Sequence, residues 1–147
     1  MMIKQNAAQK VTTLLAALRA AHWSHWTSHW QTKGNPYYGD HLLLERLYNA
    51  ITPEIDTLAE KAVAFYGPVS VDPVVQANMT ADILAKHAVA DPILRALRIE
   101  QVLQAMFKET FDTLEASGHL SLGLNDFIAA AANAHETAIY LLQQRLR

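Results

Sequence analysis

The chain has 147 residues, no cysteine, a formal charge of −2 at neutral pH and 51% hydrophobic content. That length reads as one domain (1–147) able to bury a core without staples; disulfides, zinc–thiolate centres and thiol nucleophiles are excluded. The twelve Lys and Arg are scattered without a run, which weighs against a dedicated nucleic-acid binder. The opening MMIKQNAAQK has no apolar signal-type region, and no stretch approaches the length of a membrane span, so a soluble cytoplasmic protein is expected.

No period-2 alternation occurs, whereas long segments of helical period do. The first helix is predicted from about Gln5 to Thr32, with Val11, Leu14, Leu15 and Leu18 as its apolar stripe and Gly34 and Pro36 as its stop. A second helix runs from about Gly39 or Asp40 to Tyr66 and is closed by Gly67-Pro68; Pro53 kinks it without ending it. The connection from Val69 to Ala90 is too long for a turn. Within it Asp72-Pro73 caps a short helix over Val74 to His87. Asp91-Pro92 opens a third long helix to about Ser117, and an alanine-rich fourth runs from about Leu124 to Leu146. Four long helices with one long crossover after the second, carrying a short extra helix, describe an all-α, ferritin-like four-helix bundle.

His29, His41, Glu45, Asp56 and Glu60 carry the chemical signal. At about 100° per residue, the last four fall within an arc of about 100° on one helix face. Burying such a stripe is costly unless a cation neutralises it, and mixed carboxylate–imidazole donors suit iron, manganese or zinc. Taken singly, each residue has a plainer reading: Asp56 and Glu60 as a solvated helix face, His41 as a polar residue near a helix start, His29 as a packed histidine. The joint pattern is what points to metal. His41 and Asp56 are 15 positions apart, about 22 Å along one helix, so they cannot hold one ion within a chain. An antiparallel two-fold partner brings the Asp56 end of one helix beside the His41 end of the other. The intrachain alternative normally shows paired Glu-x-x-His motifs, and there are none. His22, His25 and His29 follow i, i+3, i+7 spacing; they read as a packed or partly solvated interface, or, for His25 with His29, as an additional transition-metal site.

His29-Trp30-x3-Gly34, His41, Glu45 and Asp56-x2-Ala59-Glu60-Lys61, together with Asp126 and His135-Glu136-x3-Tyr140-x-Leu142, resemble the Dps family (DNA-binding proteins from starved cells, or mini-ferritins). The resemblance is clear from about His29 to Gly67 and in the last helix, and weak between them. It implies a hollow homododecamer with ferroxidase sites at two-fold interfaces. His29 and His41 come from one subunit, Asp56 and Glu60 from its partner, and Glu45 lies near the second metal position. Trp30 is implied to take up stray oxidising equivalents beside the site, and Asp126 to lie near three-fold pores. The implied chemistry is oxidation of two ferrous ions by hydrogen peroxide and storage of ferric mineral, with zinc or manganese as substitutes for iron. Two rivals share the architecture: a nucleoid-associated DNA-protecting protein with little ferroxidase activity, and a metal-loaded scaffold without redox chemistry. Short, poorly charged tails argue against DNA compaction. Trp26 stands where the family often has histidine, Lys61 where it has arginine, and Tyr140 where it commonly has tryptophan; Pro53 bears on how the Asp56–Glu60 turn meets a partner helix.

Overall fold

Five α-helices and no strand make up the computed structural model, which describes Met1–Arg147. They are α1 (Met2–Gln31), α2 (Tyr37–Tyr66), α3 (Pro73–Lys86), α4 (Pro92–Ala116) and α5 (Leu122–Leu146), with one 3-10 turn at Pro68–Val71 between α2 and α3. The starts are set by side-chain caps. Asp72 accepts from the amides of Val74 and Val75, Asp91 from Leu94 and Ser121 from Leu124, and Pro73 and Pro92 fill first positions where no amide is needed. The Ser121 cap is why α5 begins two residues before the expected Leu124. Gly67 and Gly118, at φ 86° and 72°, end α2 and follow α4 in a backbone region that side chains disfavour. α2 begins at Tyr37, directly after Pro36, and continues unbroken through the exposed Pro53, as expected of a single helix.

Contacts between helices fix the topology. Lys10 pairs with Glu109 near one end of α1, and Arg95 donates to Ser28 Oγ near the other, so α1 and α4 are antiparallel. Gln104 Nε2 donates to the Ala132 carbonyl and sets α5 antiparallel to α4, while Arg145 at the end of α5 reaches Asp40 at the start of α2. This arrangement makes α2 and α4 parallel, and no short loop can join parallel helices end to end. α3 carries the chain back. It is laid along α1 by Gln76 Nε2 donating to the Thr12 carbonyl (2.9 Å) and Thr80 Oγ1 to that of Ala16 (3.4 Å). The result is the all-α bundle with one long crossover and a short extra helix.

Because α1 is packed by α2, α3 and α4, it is buried on nearly every side between Val11 and Ala21, and its alanines let the neighbours approach closely. The larger core gathers Val11, Leu14, Leu15 and Leu18 with Ile51, Leu58, Leu103 and Phe107. A smaller one gathers Leu44, Leu47, Ile93, Ala96, Ala138 and Leu142. On α4 Glu100 falls between Ala96 and Leu103, and on α5 His135 falls between Ala131 and Ala138, so a polar layer separates the two cores. No helix is long and apolar enough to cross a membrane. Phe107 is buried in the larger core with its ring 5.4 Å from that of His135. Phe107→Ala is expected to cost about 3–5 kcal/mol, read as a lower denaturant midpoint at unchanged slope.

Candidate metal centre

His29 in the last turn of α1 and His41 in the first turns of α2 face each other across the short connection between those helices. Each imidazole Nδ1–H donates to the other residue's main-chain carbonyl, His29 to His41 O at 2.8 Å and His41 to His29 O at 3.0 Å. A carbonyl can only accept, so each ring carries a proton on Nδ1, and Nε2 is the nitrogen left to meet a metal. The rings stack with centroids 3.5 Å apart and planes 22° apart, and neither Nε2 has a partner in the chain. Both donors are therefore pre-oriented by bonds to their other nitrogens, which is how metal-ligating histidines are held.

The surroundings keep this corner rigid. Thr32 Oγ1 also donates to the His29 carbonyl, and Arg95 of α4 grips Ser28 through Nη2 (2.7 Å) and Nε (3.2 Å). Next to His41, Asp40 is held by Arg145 in a two-pronged ion pair of 2.6 and 2.9 Å, and the Arg145 guanidinium is pushed above its usual range, chiefly by that hydrogen bond. Tyr37 stacks on His41 at 5.1 Å.

Of the other residues singled out in the sequence, Glu45 is half-buried one turn from His41, and Asp56 and Glu60 are exposed farther along α2. None of the three takes part in an ion pair within the chain. The chain thus brings His29 and His41 together and leaves Asp56 and Glu60 apart from them; no three His, Asp or Glu side chains converge to hold an ion within one copy. Trp30 is 62% exposed, and its ring contacts that of Trp26 rather than either histidine. Asp126 is exposed near the start of α5.

A second cluster lies in the bundle interior, and it overturns the pairing of His25 with His29. His25, with no exposed surface, turns into the core, and its Nε2–H donates to Glu100 Oε1 at 2.7 Å. Glu100, equally buried, accepts through Oε2 from His135 Nδ1–H at 2.5 Å, and His135 Nε2–H donates to Glu54 Oε2 at 2.8 Å. One residue comes from each of α1, α2, α4 and α5. Burial alone raises the Glu100 carboxyl, but hydrogen bonds from His135 and His25 outweigh it and hold the group down at about 2. His135 is likewise disfavoured as a cation by burial, yet its bonds to Glu100 and Glu54 lift it to about 10. The interior position is therefore closed by an imidazolium between two carboxylates. A cavity of about 210 Å³, lined by Glu54, Glu100 and His135 with Arg46, adjoins it. Glu100 and Glu54 escaped the sequence reading, although a signal for Glu100 was present: it interrupts the apolar stripe Ile93, Ala96, Leu103, Phe107 on α4.

The chain has the fold of the Dps proteins. It superposes on Dps from Thermosynechococcus elongatus with a TM-score of 0.85 at 18% identity, over 99% of this chain and 93% of that one. DpsC from Streptomyces coelicolor gives 0.83 at 22% identity over 100% and 87%. The Dps protein from Vibrio cholerae O1, described as a member of a broad superfamily of ferritin-like diiron-carboxylate proteins, gives 0.83 at 15% over 99% and 92%. No protein-family model and no curated protein matches the sequence. The likeness read from His29 through Gly67 and in the last helix thus holds at the level of fold.

The interior ion cluster sets the pH response of stability. The His135 contribution is fully present below its ordinary value of 6.5 and is lost as pH rises through about 10; the Glu100 contribution is present above 4.5 and is lost as pH falls towards 2. Urea unfolding at a series of pH values should show both contributions complete between 4.5 and 6.5 and a decline on either side. Glu100→Gln should flatten that profile and cost about 3–5 kcal/mol, because it leaves a buried cation short of a partner.

Proposed function

We propose that the chain is a mini-ferritin that oxidises ferrous iron with hydrogen peroxide and stores the ferric product, at sites that two copies complete together. The observation that carries this reading is the His29–His41 pair, its rings stacked, both Nδ1–H groups committed and neither Nε2 bonded within the chain. Two neutral imidazoles joined by carboxylates form a donor set suited to ferrous iron, and few protein ligands leave coordination positions open for the oxidant. Asp56 and Glu60 are the uncommitted carboxylates on the same helix, and an antiparallel partner presents its own pair to these histidines. Glu45, one turn from His41, serves the second metal position. Asp126 lines the entry pore at the three-fold axes of a homododecamer.

An exposed aromatic face supports the need for a second copy. Trp23, Trp26 and Trp30, all exposed on α1, line a cavity of about 760 Å³ between α1, α2 and α3, and clustered exposed aromatic rings are what a partner surface covers. The face is continuous with the histidine pair through Tyr48. In the reaction, iron is the substrate: two ferrous ions, one peroxide and two protons give two ferric ions and two waters. The histidines hold and orient the incoming ion, and the partner's carboxylates offset its charge.

Mixing with ferrous salt and peroxide should give a fast rise of ferric absorbance, and protein purified without added metal and then analysed distinguishes iron from zinc or manganese as the native load. The variant carrying Asp56→Ala and Glu60→Ala should lose the fast phase while still eluting as a particle of about 200 kDa, twelve copies of 16.4 kDa. Oxidation at the wild-type rate in that variant refutes the site.

A further inference from the structure

The cavity between α1, α2 and α3 carries polar groups that the iron chemistry does not use. Its volume of about 760 Å³ lies in the range of about 300–1,000 Å³ typical of small-molecule pockets. Trp23, Trp26 and Trp30 give it flat, electron-rich walls, and no Asp or Glu lines it. Gln76 of α3, only 2% exposed, also lines it. Its Nε2–H donates to the Thr12 carbonyl at 2.9 Å, while its Oε1 has no partner at all. An acceptor buried in that state is costly, and an N–H or O–H brought to it removes the cost. Thr80, one turn along α3, commits its hydroxyl hydrogen to the Ala16 carbonyl (3.4 Å) and can offer the cavity only an acceptor. The α3 wall therefore calls for a donor.

The charge on the lining points to an acid. Arg19 of α1 is exposed and belongs to no ion pair within the chain. His22, the other basic group on the lining, is pushed below its ordinary value by burial and then by His25, so the standing charge at neutral pH is that of Arg19. A cavity with a guanidinium and no carboxylate suits neither a metal ion nor an organic cation. We infer that it binds a small planar aromatic acid bearing a hydroxyl or ring N–H, with the ring against the indoles, the carboxylate at Arg19 and the donor at Gln76 Oε1. Neither His29 nor His41 lines the cavity, so the inference does not rest on the iron-oxidising reading. Arg19 and Gln76 belong to α1 and α3, not to the helix along which an antiparallel second copy is proposed to lie.

Calorimetric titration of the metal-free, assembled protein with three probes tests this. Meta-hydroxybenzoate should bind once per chain and change the tryptophan emission. Meta-methoxybenzoate, which lacks the donor, and the methyl ester of meta-hydroxybenzoate, which lacks the charge, should each bind about tenfold or more weakly. Arg19→Met should abolish the preference for the acid over its ester, and Gln76→Met the preference for hydroxyl over methoxy. Because Gln76→Met also gives up the bond to Thr12, the ratio between probes within that variant is the quantity read, and the three probes on the wild type decide the matter if the variant does not fold. No binding to an assembly that elutes intact means that the partner's own side chains fill the cavity, and overturns the inference. Equal affinity for all three probes, unchanged tryptophan emission, or preferences that persist in both variants overturn it as well. None of these outcomes depends on whether the protein oxidises iron.

Discussion

A carboxylate with no exposed surface must be answered from every side, and Glu100 is answered by His25 of α1 and His135 of α5, with Glu54 of α2 holding the far nitrogen of His135. Such a layer is a constraint on register. Hydrophobic contacts above and below it tolerate sliding by part of a turn, whereas the four charged or hydrogen-bonding partners do not. The apolar clusters on either side supply the drive to fold, and the polar layer selects which alignment of the four helices results. The positions of the ends of α1 and α2, and so of His29 and His41, follow from it.

The two histidine-bearing clusters are chemically opposite. In the interior, His135 has both nitrogens engaged and is kept charged, so its place is filled by its own proton. At the helix ends, His29 and His41 spend one nitrogen each on a main-chain carbonyl and leave the other uncommitted. One arrangement spends its nitrogens on the fold; the other leaves one ring nitrogen of each histidine without a partner in the chain. Arg95 and Arg145, reaching in from α4 and α5, tie the outward pair to the rest of the bundle, so the register set inside is transmitted to the surface.

The outward pair lacks carboxylates in reach, and the aromatic face beside it lacks cover. Both deficits fall on the α1–α2 side and one second copy would meet both, so the proposed chemistry and the proposed assembly stand together. Exposed tryptophans give such a face large contact area at low conformational cost.

Much of this was written in the order of residues. Caps at Asp72 and Asp91, the glycine at 67 and the 3.6-residue period are local signals, so helix number, order and near boundaries were legible, as was the crossover, because its length is itself a topological statement. Helical spacing, being arithmetic, put His41, Glu45, Asp56 and Glu60 on one face of α2; that His29 of α1 stacks on His41 is a matter of packing. What the helices' mutual placement alone decided is which partner each polar group meets: that His25 abandons His29 for Glu100, that Glu54 joins an interior ion cluster, and that Trp30 reaches the histidines only through Trp26 and Tyr48. Those pairings join residues as far as 81 positions apart, such as Glu54 and His135. Local spacing reports the face of a helix on which a residue sits; only packing determines what that face will touch.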